Sequence, residues 1–272
     1  MGLPRPSPET AALVTGASAG IGSRIARELA ARGHGVVLVA RRKDRLEALA
    51  RELSDKHGVS AATIACDLSK PAVRGRLPGR VKELGLRVEI LINNASFATG
   101  GAFHESDPAR ELEQVRVLVE AVVALSSAFI PEMVDRGRGA VLNVASTAAM
   151  QPLPYSAGYS AAKAYVLTFS EALHQELRGY GVTVTALCPG PVETDFWQIA
   201  DWQVNTGQSF EKIVPWPAMI SAADAAHAGV DGLAAGRRVV VPGLPVRAAM
   251  QATRYVPHAL KLPVIEWVMR RR

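Results

Sequence analysis

At 272 residues, with 49% hydrophobic and 21% charged side chains, the chain can bury a proper core, and its composition excludes intrinsic disorder. Its net charge of +6 is gathered in residues 244–272, where Arg247, Arg254, Lys261, Arg270, Arg271 and Arg272 stand against Glu266 alone. The rest is nearly neutral, which excludes a basic nucleic-acid-binding body, and no nucleic-acid partner is expected. The start, "MGLPRPSPET", lacks the apolar run of a secretory signal, and Pro6 replaces the Ser or Thr of a myristoylation signal. No stretch reads as the roughly 20 apolar residues that span a bilayer. The expected location is the cytoplasm, with Cys66 and Cys188 as two reduced, buried thiols. The arginine excess over lysine points to a GC-rich bacterial source.

Short β-branched runs alternate with segments of helical period. "AALVTG" (11–16) predicts a strand, "IGSRIARELAARG" (21–33) a helix closed by Gly33, and "GVVLVA" (35–40) the next strand. Leu46, Leu49, Ala50 and Leu53 then form the stripe of a second helix. "AATIAC", "VEILINNA", "GAVLNVAS" and "GVTVTALCPG" predict four more strands, with long helices at about 108–134 and 158–179 and a further strand in "VVVPGL". Strands that are apolar throughout lie in a parallel sheet covered on both faces. The expected fold is therefore α/β: one doubly wound, Rossmann-like domain with about seven parallel strands. It spans residues 1–243, with a substrate lid at about 191–220, and is followed by a basic amphipathic extension, 244–272.

"VTGASAGIG" (14–22) falls where the first strand turns into the first helix. Gly16 suits the tight turn, Gly20 lets backbone N–H groups approach a pyrophosphate, and Gly22 allows close helix–strand packing. The second strand ends in Ala40-Arg41-Arg42-Lys43, with no acid before Asp44. Two guanidiniums there argue for the 2′-phosphate of NADP(H); the other reading is a solvated helix start.

Tyr159 and Lys163 lie four apart on a predicted helix, so their side chains share a face. The ammonium is expected to draw the phenol's pKa down and make it a usable acid or base. Tyr155 precedes the helix in a proline-rich loop, where it can wall the substrate entrance, and Tyr165 points elsewhere. Ser146, at the end of "AVLNVAS", can hydrogen-bond a substrate carbonyl while the phenol protonates it.

From about residue 10 to 243 the chain resembles a short-chain dehydrogenase/reductase. "TGASAGIG", "CDLS" (66–69), "NNA" (93–95), "NVAS" (143–146), "YSAAK" (159–163) and "PGPVET" (189–194) occur in the family's order. The resemblance implies NADP(H)-dependent interconversion of a carbonyl and an alcohol. Ser146 would bind substrate, Tyr159 would transfer the proton, and Lys163 would meet the nicotinamide ribose. Asp67 would meet the adenine, Asn93 the adenosine-side ribose, and Thr194 the carboxamide. Ser18, Ile21, Leu68, Ala95, Pro189, Gly190 and Val192 complete the implied cofactor contacts. Two positions depart from the family: Ser96 replaces the glycine of "NNAG", and Leu118 stands 28 residues before Ser146, where many relatives carry an asparagine of the proton relay. Leucine can neither donate nor accept.

Phe196, Trp197, Trp202, Phe210 and Trp216 crowd the expected lid of a chain that is only 6% aromatic. They suggest a lipophilic carbonyl substrate (a fatty-acyl ketone, a steroid or similar), with Phe196 and Trp197 beside it; packing of the lid is the other reading. The tail offers either a subunit contact in a homodimer or homotetramer, or peripheral membrane contact. With the "VVVPGL" strand it also resembles acyl-chain reductases of the 3-oxoacyl and mycolate types, a likeness that suggests lipid metabolism. His34, His104, His174 and His227 lack metal-ligand spacing, so no metal is expected. The alternative function is an NADP(H)-binding, weakly active or inactive interaction or membrane-associated protein.

Overall fold

Apolar runs rich in Val, Ile and Thr, whose β-branching favours strands, form β1 (Thr10–Thr15), β2 (Gly35–Ala40), β3 (Ala61–Ala65), β4 (Arg87–Asn93), β5 (Gly139–Val144) and β6 (Val182–Leu187). The computed structural model describes residues 2–193, 219–253 and 256–270. Beyond β6, β7 (Val192–Glu193) pairs with β8 (Ile220–Ser221), and β9 (Val239–Val240) joins the main sheet. That sheet has seven parallel strands in the order β3-β2-β1-β4-β5-β6-β9, as expected. The order reverses between β1 and β4, and in such sheets ligands bind beyond the strand C-termini at that reversal.

Helices cover both faces. α1 (Gly20–Ala31), α2 (Lys43–His57) and α8 (Ala222–Ala234) bury Ile25, Leu29, Leu46, Leu53, Val230 and Leu233 on one side. On the other, the short α3 (Pro71–Arg74) leads into α4 (Leu77–Glu83), whose Leu77 and Val81 share a core with Leu125, Phe129 and Met133 of α6 (Ala121–Asp135). α7 (Ala157–Leu177) completes that layer. Cys66 and Cys188 are free and buried. His227 of α8 joins Glu28, Arg32 and Asp231 in a partly exposed polar cluster, in which Arg32 lies 2.6 Å from Glu28 and 2.5 Å from Asp231.

The helix expected over 108–134 is not uniform. α5 (Pro108–Val115) passes through a π-helical turn, Arg116–Glu120, before α6 begins, and the turn is closed by the Ala121 N–H on the Arg116 carbonyl. An 18-residue window within Pro108–Asp135 reaches a mean hydropathy of 1.8, so by length and composition alone this run could cross a bilayer. It is a core element here: Val122, Leu125, Phe129 and Met133 are buried, and the run packs on β4 and β5.

A polar ladder crosses this second layer. Asn93 and Asn143 are register partners on β4 and β5, so their side chains leave the sheet on the same face. Asn93 Nδ2 donates to Asn143 Oδ1 (2.8 Å) and to Ser126 Oγ on α6 (3.4 Å). Asn143 Nδ2 donates to Ser170 Oγ on α7 (2.9 Å), which donates to the Val166 carbonyl (2.6 Å). After β9 the expected extension forms α9 (Leu244–Thr253) and α10 (His258–Arg270).

Candidate active site

The glycine turn stands at the C-terminal end of β1. Gly16 has φ +66°, and a Cβ there would lie 2.8 Å from the Ala95 Cα; a Cβ on Gly22 would lie 2.5 Å from the Gly16 carbonyl oxygen. Both positions therefore exclude any side chain. Asn94 pins the turn, its Nδ2 donating to the Thr15 carbonyl at 2.9 Å. The Asn94 and Ala95 N–H groups both donate to Thr15 Oγ1 (2.9 and 3.1 Å), which donates to the Ile92 carbonyl (3.0 Å). α1 then begins at Gly20 with neither a side-chain cap nor an acid in its first turn. Such a terminus presents N–H groups and a positive dipole end to an anion.

Beside this turn, Arg42 reaches across from the end of β2, and its Nη2 and Nε donate to Ser18 Oγ at 2.9 and 3.2 Å. Arg41 is exposed, 3.9 Å from Glu113. Asp67, after β3, accepts from the Ser69 hydroxyl (2.7 Å) and N–H (3.0 Å). Burial raises its pKa, but those bonds, with Arg41 and Lys70 nearby, hold it below the ordinary value.

At the end of β5, Ser146 caps the 3₁₀ turn Thr147–Met150 by accepting from the Ala148 N–H (3.1 Å), and its hydroxyl also meets the Tyr159 phenol. Lys163, one turn further along α7, is 3% exposed; its Nζ donates to the Val144 carbonyl at 2.7 Å and lies 5.7 Å from the Tyr159 ring centroid. Ser146, Tyr159 and Lys163 thus meet at the strand ends. Burial pushes the Tyr159 phenol up to about 12, against a smaller pull from Ser146. It pushes Lys163 down to about 7, with neighbouring Cys188 opposing. The expectation that Lys163 lowers the phenol's pKa is therefore not met in this arrangement. Nζ is spent on a backbone carbonyl, and loss of water dominates both groups. The Cys188 thiol is likewise pushed up to about 12 by burial.

Comparison with known proteins matches residues 10–203 to the short chain dehydrogenase family. The chain belongs to that family. This short chain dehydrogenase is 32% identical over 207 residues to the very-long-chain 3-oxoacyl-CoA reductase of Bos taurus, a match covering 74% of this chain and 66% of the relative. It is 36% identical over 211 residues to a protein named as a ketoacyl reductase of Streptomyces coelicolor, covering 74% of this chain and 80% of the relative. A solved short-chain dehydrogenase from Sphingobium yanoikuyae, in complex with NADPH, superimposes with a TM-score of 0.80 at 33% identity, covering 93% of this chain and 94% of that one. The bulky-bulky ketone specific alcohol dehydrogenase from Comamonas testosteroni gives 0.74 at 27% identity, covering 92% and 99%. The expected class, an NADP-dependent oxidoreductase, agrees with these relatives.

Not every residue expected in the short chain dehydrogenase site lies where the motifs suggested. The Asn93 side chain is buried in the polar ladder, so any nucleotide contact at this position falls to its backbone. Leu68 and Val192 are buried, Ile21 and Gly190 are half-buried, and Pro189 accepts from the Thr147 N–H at 2.9 Å. Tyr155 is half-buried at φ +63°, and its carbonyl accepts from Gly101 N at 2.9 Å. Thr194, Phe196, Trp197 and the other lid aromatics lie outside the described residues. Leu118 is buried in the π-helical turn. Thr15 and Asn94 were missed; a polar pair flanking two glycine-restricted backbones was the available signal.

Proposed function

We propose that this protein reduces the carbonyl of a lipophilic substrate with NADPH, the substrate being a fatty-acyl ketone, a steroid or a similar molecule. The observation that carries the reading is the meeting of Ser146, Tyr159 and buried Lys163 at the same C-terminal edge of the parallel sheet as the glycine turn. The residues present fit the cofactor. The uncapped start of α1 and the side-chain-free Gly16 and Gly22 positions suit a pyrophosphate, Arg42 over Ser18 suits a 2′-phosphate, and Asp67, held below its ordinary pKa, would accept from an adenine amino group. When bound, NADPH supplies the hydride.

Ser146 donates to the substrate carbonyl oxygen and orients it. Tyr159, protonated throughout the neutral range with its pKa near 12, gives its proton to the oxygen as negative charge develops there. Lys163, whose pKa burial pushes down to about 7, supplies in its protonated form the positive charge that stabilises the phenolate left behind. A lipophilic substrate is supported by the lid aromatics and by the relatives named for 3-oxoacyl, ketoacyl and bulky ketone substrates. A homodimer or homotetramer is supported by exposed Leu112 and Val115 on α5 and Tyr165 on the adjoining α7. Leu118 favours the second reading, an NADP(H)-binding protein with little turnover.

Following NADPH oxidation against acyl ketones and steroids decides between them. Tyr159→Phe is expected to retain NADPH binding and lose turnover by about 10²–10⁴-fold. Tight NADPH binding without any Tyr159-dependent oxidation across the panel would overturn the reductase reading.

A further inference from the structure

α10 is apolar on two opposite faces. Leu262, Ile265 and Met269, spaced i, i+3, i+7, are half-buried. Leu260, Val264 and Trp267, spaced i, i+4, i+7, lie on the other side of the helix and are 67%, 61% and 54% exposed. Leu244 at the start of α9 is 80% exposed, and Val256 ahead of α10 is exposed as well. Single exposed apolar side chains are ordinary on a protein surface, but a helix stripe of three large ones marks an interaction face.

From this face we infer that α10 docks the protein on an anionic lipid bilayer surface. Charge selects this occupant. The segment that carries the stripe holds six basic residues against Glu266, whereas the rest of the chain is nearly neutral. A two-fold contact between copies sets the same patch against itself, so a second copy here would bring two strongly basic segments together. An anionic bilayer offers the opposite charge, an apolar interior for Leu260 and Val264, and an interfacial region suited to tryptophan. Exposed Arg247 and half-exposed Lys261 lie on the same segment as the stripe. Leu112 and Val115 on α5 and Tyr165 on α7 are a separate set of exposed apolar side chains that a second copy could use without the basic tail. The docking inference is independent of the substrate reading.

Vesicle co-sedimentation of the full chain tests it, with phosphatidylcholine alone and with phosphatidylcholine–phosphatidylglycerol mixtures. The wild type should sediment with the anionic vesicles only, and added salt should weaken the binding. The double variant Leu260→Ser/Val264→Ser should bind about tenfold more weakly at an unchanged melting temperature, because it removes apolar groups from the bilayer contact alone. Failure of the wild type to bind anionic vesicles, or equal binding by the double variant, would overturn the inference. So would a double variant whose oligomer dissociates while vesicle binding is absent throughout, since that result assigns the face to a second copy.

Discussion

Lys163 must be an ammonium to stabilise a phenolate, yet its burial favours the neutral amine. Its pKa falls from 10.5 to about 7. Between those values the unfolded chain binds a proton that the folded chain has released, so folding stability rises with pH through this window. Below about 7 the folded protein carries the full cost of the buried charge. Lys163→Met should therefore raise the melting temperature most at mildly acidic pH, flatten its rise towards alkaline pH, and abolish turnover. Calorimetry across pH, beside NADPH oxidation, checks this. A variant that melts below wild type in acid would show that the Val144 hydrogen bond outweighs the buried charge.

At the scale of the element, the α5–α6 run departs most from its simple helical pattern. Its π-helical turn holds Leu118 fully inside, with Arg116 and Glu120 exposed at either end. Leu118→Asn puts an amide into an apolar position, with an expected loss of about 1–3 kcal/mol of stability, read from the denaturant midpoint. If Leu118 impairs the proton relay, the same variant turns over faster despite being less stable. An unchanged rate would remove Leu118 from the account of catalysis. Helical period in the sequence showed the run and its core face; the π turn was not legible, because the buried positions Gln114, Leu118 and Val122 are four apart, a spacing that an ordinary α-helix also gives.

For the whole molecule, the ladder Ser126–Asn93–Asn143–Ser170 joins both central strands to the helices of one layer. Asn143 is fully buried, so Asn143→Ala removes at once the acceptor of the shorter Asn93 amide hydrogen bond and the donor to Ser170 Oγ, leaving Asn93 only its longer bond to Ser126. A loss of about 2–3 kcal/mol is expected, seen as a lower urea midpoint with an unchanged slope. A change in slope instead would mean that the ladder maintains cooperativity between the layers. In the sequence, Asn93 reads as part of a nucleotide motif, since nothing local shows which neighbouring strand its side chain will meet.

The sequence by itself determined the alternation of strand and helix, the seven-stranded parallel sheet, the glycine turn and the chemical identity of Ser146, Tyr159 and Lys163. These rest on local rules: apolar periodicity, the conformations open only to glycine, and the four-residue spacing of a helix face. Only the tertiary structure decided how deeply Lys163 and Tyr159 are buried, and so the direction of both pKa shifts. It alone paired Asn93 with Asn143, set Arg42 on Ser18, and left Leu260, Val264 and Trp267 outward on α10. Burial and pairing depend on residues tens of positions away, and strand order, not sequence spacing, brings those residues together.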